Sequence, residues 1–277
     1  MSRYAAAFRA AKERGETLFM PYLTAGFPSQ SETRPLLEAL IRGGAGGIEV
    51  GVPFSDPLAD GPTIQRANTV ALGHGTNLRF ILDTVRALRD GGVDVPVTLM
   101  GYLNPYLSYA SASGSGAGFE PLARDAAEAG IDGFIVVDLP PEESDEVRET
   151  LQKQGLDLVY LLAPTSTEAR IRAVAGRASG FLYLVSVTGV TGARDSLPSD
   201  LAEFVARVRR ETDLPLAVGF GISDRRQVET VGELCEAAVV GSAVITCIEQ
   251  APPTDRVATL QQFAEVISGR RRGDTER

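Results

Sequence analysis

The segment EPLARDAAEAGIDGFIVVDL, residues 120–139, decides the fold class because it joins a helix pattern directly to a strand pattern. Residues 120–129 have helical spacing, and residues 131–139 contain the continuous apolar run FIVV. Continuous apolar runs are typical of parallel strands covered on both faces, whereas strands with one wet face alternate. The segment therefore predicts one α/β unit that contributes a buried parallel strand.

The same unit recurs along the chain. Apolar runs bounded by Gly, Pro or Asp predict eight strands, at residues 17–25, 46–53, 95–103, 131–139, 156–163, 180–187, 214–221 and 237–243. Segments with helical spacing alternate with them, at residues 31–42, 77–89, 120–129, 142–154, 166–175, 199–211, 224–232 and 254–268. This alternation predicts an α/β protein, a single-domain (β/α)8 TIM barrel. A doubly wound sheet is the alternative, but the glycine fingerprint expected after its first strand is missing.

The barrel is predicted to span residues 1–268, with an extra N-terminal helix before the first strand. Residues 269–277 are polar and are predicted to form a disordered tail. The longest apolar runs are far shorter than the ~20 residues of a membrane helix, and the first residues lack the apolar core of a signal peptide. With only two cysteines in 277 residues, we expect a cytoplasmic protein without a disulfide framework.

Composition excludes several kinds of chemistry. The net charge is −9 (27 basic against 36 acidic residues), which disfavours nucleic acid as a partner. One histidine, His74, and two scattered cysteines are too few for the usual transition-metal site. The two lysines, Lys12 and Lys153, lie in helix patterns, away from the strand ends where a Schiff-base lysine is needed. We expect catalysis by carboxylates, hydroxyls, arginines and backbone dipoles.

Two acidic residues stand out near the end of the second strand. Glu49 lies between Ile48 and Val50, where a carboxyl among apolar neighbours has a raised pKa suited to proton transfer. Its alternative role is an ion pair between strand and helix. Asp60 follows in the Pro-rich connection GVPFSDPLADGP, where it either caps a helix beginning near residue 63 or forms an acid–base pair with Glu49.

Glycines follow the last three predicted strands. They occur in the segments SVTGVTG (residues 186–192), GFGI (219–222) and GSA (241–243). Glycine permits close backbone approach, so peptide N–H groups in such loops bind phosphate without lysine, and barrels often place phosphate sites in their final loops. The alternative is that these glycines merely end strands. Three consecutive glycine loops favour a phosphate ester ligand.

The segment EVGVPFSDPLADGP (residues 49–62), together with PYLTAG (21–26), GVTG (189–192) and GFGI (219–222), resembles the tryptophan synthase alpha chain family over nearly the whole chain. The resemblance implies cleavage of indole-3-glycerol phosphate to indole and glyceraldehyde 3-phosphate, a retro-aldol lyase step without a cofactor in this chain. It implies that Glu49 protonates indole C3 and assists removal of the glycerol hydroxyl proton, and that Asp60 accepts from the indole N–H.

The resemblance also assigns the remaining site residues. The indole and glycerol chain would be surrounded by Tyr22, Ile64, Met100, Tyr102, Ile135, Val137, Leu161 and Tyr183. The phosphate would be held by Gly192, Gly221, Gly241 and Ser242. Pro53, Asp56 and Thr191 would lie in loops that signal to a partner.

That partner would be a beta chain carrying pyridoxal phosphate, in an αββα heterotetramer that passes indole between the chains. Two other functions remain compatible with the sequence. One is a stand-alone indole-3-glycerol-phosphate lyase that releases free indole. The other is a catalytically weakened allosteric subunit, against which the presence of both Glu49 and Asp60 argues.

Overall fold

A computed structural model describes residues 2–110, 116–185, 200–219 and 221–271, in which eight parallel strands close into a barrel in sequence order. The strands are β1 Leu18–Thr24, β2 Ile48–Gly51, β3 Val97–Gly101, β4 Gly133–Val136, β5 Asp157–Leu162, β6 Leu182–Val185, β7 Leu216–Gly219 and β8 Ala237–Val240. Strand β1 also pairs with β8 in parallel, so the sheet has no free edge. The predicted barrel is confirmed, and each strand lies inside its predicted range.

Helices surround the barrel and connect successive strands. They are α1 Arg3–Arg14, α2 Gln30–Arg42, α3 Pro62–Gly73, α4 Leu78–Asp90, α5 Leu103–Leu107, α6 Phe119–Ala129, α7 Asp145–Lys153, α8 Glu168–Ala175, α9 Leu201–Arg209, α10 Arg225–Gly232, α11 Ser242–Gln250 and α12 Arg256–Ser268. Helix α4 shows why such segments fold. The Asn77 side chain caps it by accepting from the Phe80 N–H, and its apolar residues recur every three or four positions.

The connection after β2 contains helix α3, which begins at Pro62, next to the helix start near residue 63 that the sequence suggested, and the fixed φ of proline suits a first helical turn. Two other segments differ from the sequence-based expectation. The predicted strand 237–243 ends at Val240, and helix α11 begins at Ser242 because Gly241 leaves the extended conformation. The predicted helix 142–154 begins as a 3-10 turn over Pro141–Glu143, and only Asp145–Lys153 is α-helical.

Helix α1 closes the end of the barrel at which the strands begin. Its residues Tyr4, Phe8 and Ala11 are buried against the barrel interior, and the Tyr4 ring meets Phe181 edge-on at 5.4 Å between centroids. The Tyr4 hydroxyl shares a 2.6 Å hydrogen bond with the hydroxyl of Thr98 inside the barrel. Because this end is filled, a ligand cavity has to open at the carboxyl ends of the strands.

An ion-pair cluster supports the same end from outside. The buried carboxylate of Asp132, just before β4, accepts from the Arg89 guanidinium at 2.8 Å and from the Arg3 guanidinium at 3.1 Å. It also accepts from the Val97 N–H at 2.8 Å, so it links helices α1 and α4 to the start of β3. In the predicted tail, Gly269 ends α12 and the Arg270 guanidinium donates to the Arg42 carbonyl oxygen, while residues 272–277 lie outside the described part of the chain.

Candidate active site

A cavity opens where the strands end. It is lined by Tyr22, Glu49, Asp60, Ile64, Met100, Tyr183, Gly221, Ile222, Val239, Gly241 and Ser242. Nine of these were predicted site residues, and they come from β1, β2, β3 and β6 and from the segments that follow β2, β7 and β8. The fold therefore brings residues that are distant in sequence into one site, as parallel strands ending at a common rim require.

Glu49 lies on β2 inside the barrel and is fully buried. In register it stands between Tyr22 of β1 and Thr98 of β3. Neither of its carboxyl oxygens has a hydrogen-bond partner among the described residues, so the alternative of a strand–helix ion pair is not observed there. Burial raises the pKa of Glu49 from its ordinary 4.5 to about 8, because a charge without partners is unfavourable in a dry site. Glu49 is therefore a neutral acid at neutral pH, able to give a proton.

Asp60 immediately precedes helix α3 and is 8% exposed. One of its carboxylate oxygens accepts from the Asn68 side-chain amide at 3.1 Å, and the Tyr102 hydroxyl also hydrogen-bonds to the carboxylate. Burial raises the pKa of Asp60 to about 6, while these two hydrogen bonds lower it. Helix α3 is capped at Gly61 without a side-chain hydrogen bond, so the alternative role of Asp60 as a helix cap is not observed. Asp60 is mostly ionised at neutral pH.

Tyr102 fixes the loop that carries Asp60. Its hydroxyl accepts from the Ala59 N–H at 2.9 Å, and its ring packs against Phe54 with centroids 5.2 Å apart. Tyr102 thus contacts both ends of the segment between β2 and α3, although it does not line the cavity itself. This contact explains how a Pro-rich connection holds a carboxylate in a defined position.

Two tyrosines form the walls of the cavity by packing on glycines. The Tyr22 ring covers Gly51 of the neighbouring strand, and the Tyr183 ring covers Gly219 in the same way. A methyl group at either glycine would overlap the tyrosine ring. The Tyr22 hydroxyl lies 3.2 Å from the Thr24 hydroxyl, and burial raises the pKa of Tyr22 far above its ordinary value. The walls are therefore aromatic and uncharged, and suited to a flat apolar ring.

Another part of the cavity lining is built from backbone. Gly221 after β7 has φ +86°, in the left-handed region that glycine adopts without strain. Gly241 and Ser242 form the start of helix α11, whose first turn presents peptide N–H groups and the positive end of the helix dipole. This part therefore suits an anion. Gly192, predicted to join it, and Thr191, predicted to signal to a partner, lie outside the described residues.

The remaining predicted residues lie near the cavity rather than on its wall. Ile135 is fully buried in the barrel interior, and Val137 and Leu161 pack against the same cluster. Pro53 is buried and Asp56 exposed, both in the loop after β2. Sequence reasoning missed Ile222 and Val239 in the lining, and it missed Asn68 beside Asp60. Asn68 stands four residues after Ile64, so its position on the buried face is visible once α3 is known to be helical.

In residues 2–110, 116–185, 200–219 and 221–271, no group of three or more His, Cys, Asp or Glu side chains is arranged to hold a metal ion. Within the same ranges no helix is long and apolar enough to cross a membrane.

A closed (β/α)8 barrel with a cavity at the carboxyl ends of its strands, in which two buried carboxyls have different pKa values, is typical of TIM-barrel enzymes. Comparisons with known proteins identify the family. The family model described as tryptophan synthase alpha chain matches residues 8–270. The chain belongs to the tryptophan synthase alpha chain family, lyase subunits that cleave indole-3-glycerol phosphate in tryptophan biosynthesis.

Individual relatives agree with this assignment. The tryptophan synthase alpha chain of Roseiflexus sp. (strain RS-1) is 48% identical over 269 residues, which cover 97% of this chain and all of that protein. The alpha chain of Chloroflexus aurantiacus is 46% identical over 93% of this chain and 94% of its own length. Among solved structures, the alpha subunit from Legionella pneumophila has a TM-score of 0.87 and 35% identity, covering 97% of this chain and 98% of that one.

Proposed function

We propose that this chain cleaves indole-3-glycerol phosphate to indole and glyceraldehyde 3-phosphate with Glu49 and Asp60 as its catalytic residues. The observation that carries the proposal is the pair of buried carboxyls in one cavity, with pKa values of about 8 and about 6. At neutral pH one is mainly a proton donor and the other mainly an acceptor. Environments that separate the pKa values of two acids in this way are typical of acid–base catalysis.

Glu49 delivers and then recovers one proton. As a neutral acid it protonates C3 of the indole ring, which makes the ring an electron sink. The C–C bond between C3 and the glycerol chain then breaks, its electron pair returns to the ring, and the aldehyde forms as the glycerol hydroxyl loses its proton to the Glu49 carboxylate. The side chain ends in its starting state, so the reaction needs no net proton and no redox partner.

Asp60 stabilises the ring while it carries positive charge. Its carboxylate accepts a hydrogen bond from the indole N–H, and this bond strengthens as C3 becomes protonated. Such an interaction accelerates the reaction because it is stronger in the transition state than in the bound substrate. The fixed position of Asp60, between Asn68 and Tyr102, supports this role because a preorganised acceptor does not have to reorient.

The cavity walls are matched to the rest of the substrate. We assign the indole and glycerol chain to Tyr22, Ile64, Met100 and Tyr183 in the lining, with Tyr102, Ile135, Val137 and Leu161 behind or beside it. The phosphate is assigned to Gly221, Gly241 and Ser242 at the start of α11, joined by Gly192. A phosphate there lies at the cavity rim, which leaves the enclosed part for the apolar ring.

The partner is a tryptophan synthase beta chain in an αββα assembly, and pyridoxal phosphate is expected in that chain and none in this one. A surface groove next to the loop that carries Asp60 supports this partnership, because Pro53 and Phe54 line it together with Tyr109 of the following loop. Leu58, 91% exposed in the same loop, adds an apolar side chain to this face. Pro53, Asp56 and Thr191 are proposed to report the state of the site to the beta chain. The complex is assigned to the cytoplasm.

Indole release tests the function directly. The purified chain is given indole-3-glycerol phosphate with and without a tryptophan synthase beta chain, and Glu49→Gln is compared with Glu38→Gln, a matched change in a helix α2 surface ion pair. We expect slow release by the chain alone, strong acceleration by the beta chain, and loss of release only in Glu49→Gln. Release by the folded chain that survives Glu49→Gln would refute the catalytic assignment.

The alternatives give different results in the same experiment. Fast release that the beta chain does not accelerate identifies a stand-alone lyase. A chain that activates a beta chain but releases no indole is a weakened allosteric subunit. The folded wild-type chain would then lack the proposed activity although both carboxyls are present.

A further inference from the structure

Asn68 on helix α3 is a buried polar residue that the mechanism above does not use. It is 2% exposed, and its amide nitrogen donates to an Asp60 carboxylate oxygen at 3.1 Å. Its amide oxygen is buried without a hydrogen-bond partner among the described residues. An amide placed in a core at the cost of one unsatisfied atom needs an explanation, because an apolar residue of similar size would fill the same space without that cost.

Helix α3 holds Asp60 at two points. The Gln65 side-chain amide donates to the Asp60 carbonyl oxygen at 2.7 Å, which fixes the backbone, and Asn68 holds the carboxylate. Ile64 lines the cavity one helical turn before Asn68, whereas Asn68 itself does not line it. Asn68 therefore stands behind Asp60, out of reach of a bound substrate, and any effect on the reaction has to pass through the carboxylate.

Two side chains, Asn68 and Tyr102, donate hydrogen bonds to the Asp60 carboxylate. Tyr102 approaches from the end of β3 and hydrogen-bonds to the carboxylate. Tyr22 on β1 and Glu49 on β2 line the same cavity, and burial raises the pKa of both, so they are neutral at neutral pH. None of these facing groups is a cation. Two neutral donors thus oppose the burial that favours the protonated form of Asp60.

We propose that Asn68 is a positioning residue of the lyase reaction, which keeps the Asp60 carboxylate ionised and oriented toward the indole N–H. The inference rests on the proposed function of this cavity. Without the Asn68 donor, Asp60 is protonated up to a higher pH, and a neutral carboxylic acid is a weaker acceptor for the indole N–H. Hydrogen bonds to charged groups are stronger than those to neutral groups. Removing the Asn68 hydrogen bond therefore destabilises the ionised form of Asp60 more than the protonated form.

The test compares Asn68→Leu, which keeps the size and removes the donor, with Thr69→Ala, an exposed neighbour on the same helix. The kcat/KM for indole release is measured from pH 5 to pH 9 with the beta chain present. In Asn68→Leu the acid limb is expected to move upward by about one pH unit, which lowers kcat/KM about tenfold at pH 5, about fivefold near pH 6 and hardly at all above pH 8. Thr69→Ala is expected to leave the limb in place.

A role in folding alone would lower kcat/KM by the same factor at every pH and leave the acid limb unmoved, and that result overturns the proposal. The substrate phosphate titrates near pH 6 as well, but it is common to all variants. A second measurement therefore follows the Asp60 carboxyl carbon by 13C NMR without substrate, with Asp60→Asn for assignment. A higher titration midpoint in Asn68→Leu supports the proposal, and an unchanged midpoint contradicts it.

The lyase activity and the role of Asn68 are tested by separate measurements. Absence of indole release by the folded wild-type complex refutes the proposed function, and the NMR titration still decides whether Asn68 controls the charge of Asp60. If Asn68→Leu does not fold, Asn68→Ala removes the same donor with a smaller side chain and is read in the same way.

Discussion

Replacing Glu49 by glutamine should make the protein more stable at alkaline pH while it abolishes catalysis. The carboxyl is fully buried without hydrogen-bond partners among the described residues, so ionising it in the folded state is unfavourable. Glutamine has nearly the same shape and never ionises. The stability difference between Glu49→Gln and wild type therefore isolates the free energy of one buried charge.

The magnitude follows from the pKa. Burial raises the pKa of Glu49 from 4.5 to about 8, so between these pH values the folded protein holds a proton that the unfolded chain has released. Its contribution to stability is complete below pH 4.5 and is lost as the pH rises toward 8, at about 1.4 kcal/mol per pH unit. Relative to wild type, Glu49→Gln should gain about 3 kcal/mol by pH 7 and at most about 5 kcal/mol above pH 8.

Thermal unfolding by circular dichroism checks this gradient. At about 2 °C or more per kcal/mol, the Tm of Glu49→Gln should equal that of wild type near pH 4.5 and exceed it by about 10 °C at pH 8.5. Other titrating groups are the same in both proteins and cancel in the difference. A Tm difference that stays constant across this range would refute the conclusion that Glu49 is neutral in the folded protein.

Three further substitutions test the surroundings of the site. Tyr102→Phe removes the hydroxyl that receives the Ala59 N–H, and kcat/KM for indole release should fall about tenfold with the fold intact by circular dichroism. Gly219→Ala forces a methyl group against the Tyr183 ring and should cost about 1–3 kcal/mol in urea unfolding. Arg89→Met removes one of the cations that pair with the buried carboxylate of Asp132. The free energy of unfolding should fall by about 3–5 kcal/mol. An unchanged midpoint of urea unfolding would contradict the importance of this ion pair.

The barrel was predictable because its signals are local and repeated. Each strand is a short apolar run, and in all eight the observed strand lies within the predicted run. The sequence also predicts that Glu49 and Gly221 lie in the same site, because parallel strands in a closed barrel end at one rim. The family motif around Asp60 identified the second carboxylate.

Other features depend on tertiary contacts. Helix α3 mixes polar and apolar residues, so the sequence suggested its start near residue 63 but not its extent to Gly73, which follows the packing of Ile64 and Ala67 against the barrel. The pKa values of Glu49 and Asp60 depend on how completely neighbouring residues exclude water. The spacing of residues in the sequence does not predict this degree of burial. The same holds for Asn68, whose partner lies eight positions away across a helix terminus. The phosphate loop with Gly192 lies outside the described residues, and its role stays a prediction.

The most direct test of the central claim is the alkaline limb of the pH profile for indole release by the wild-type chain with its beta chain. A buried, protonated Glu49 as the proton donor predicts that kcat/KM falls about tenfold per pH unit above a pKa near 8, far from the titration of the substrate phosphate. A kcat/KM that stays level through pH 9.5, with the protein still folded, would contradict the assignment of Glu49 as the acid.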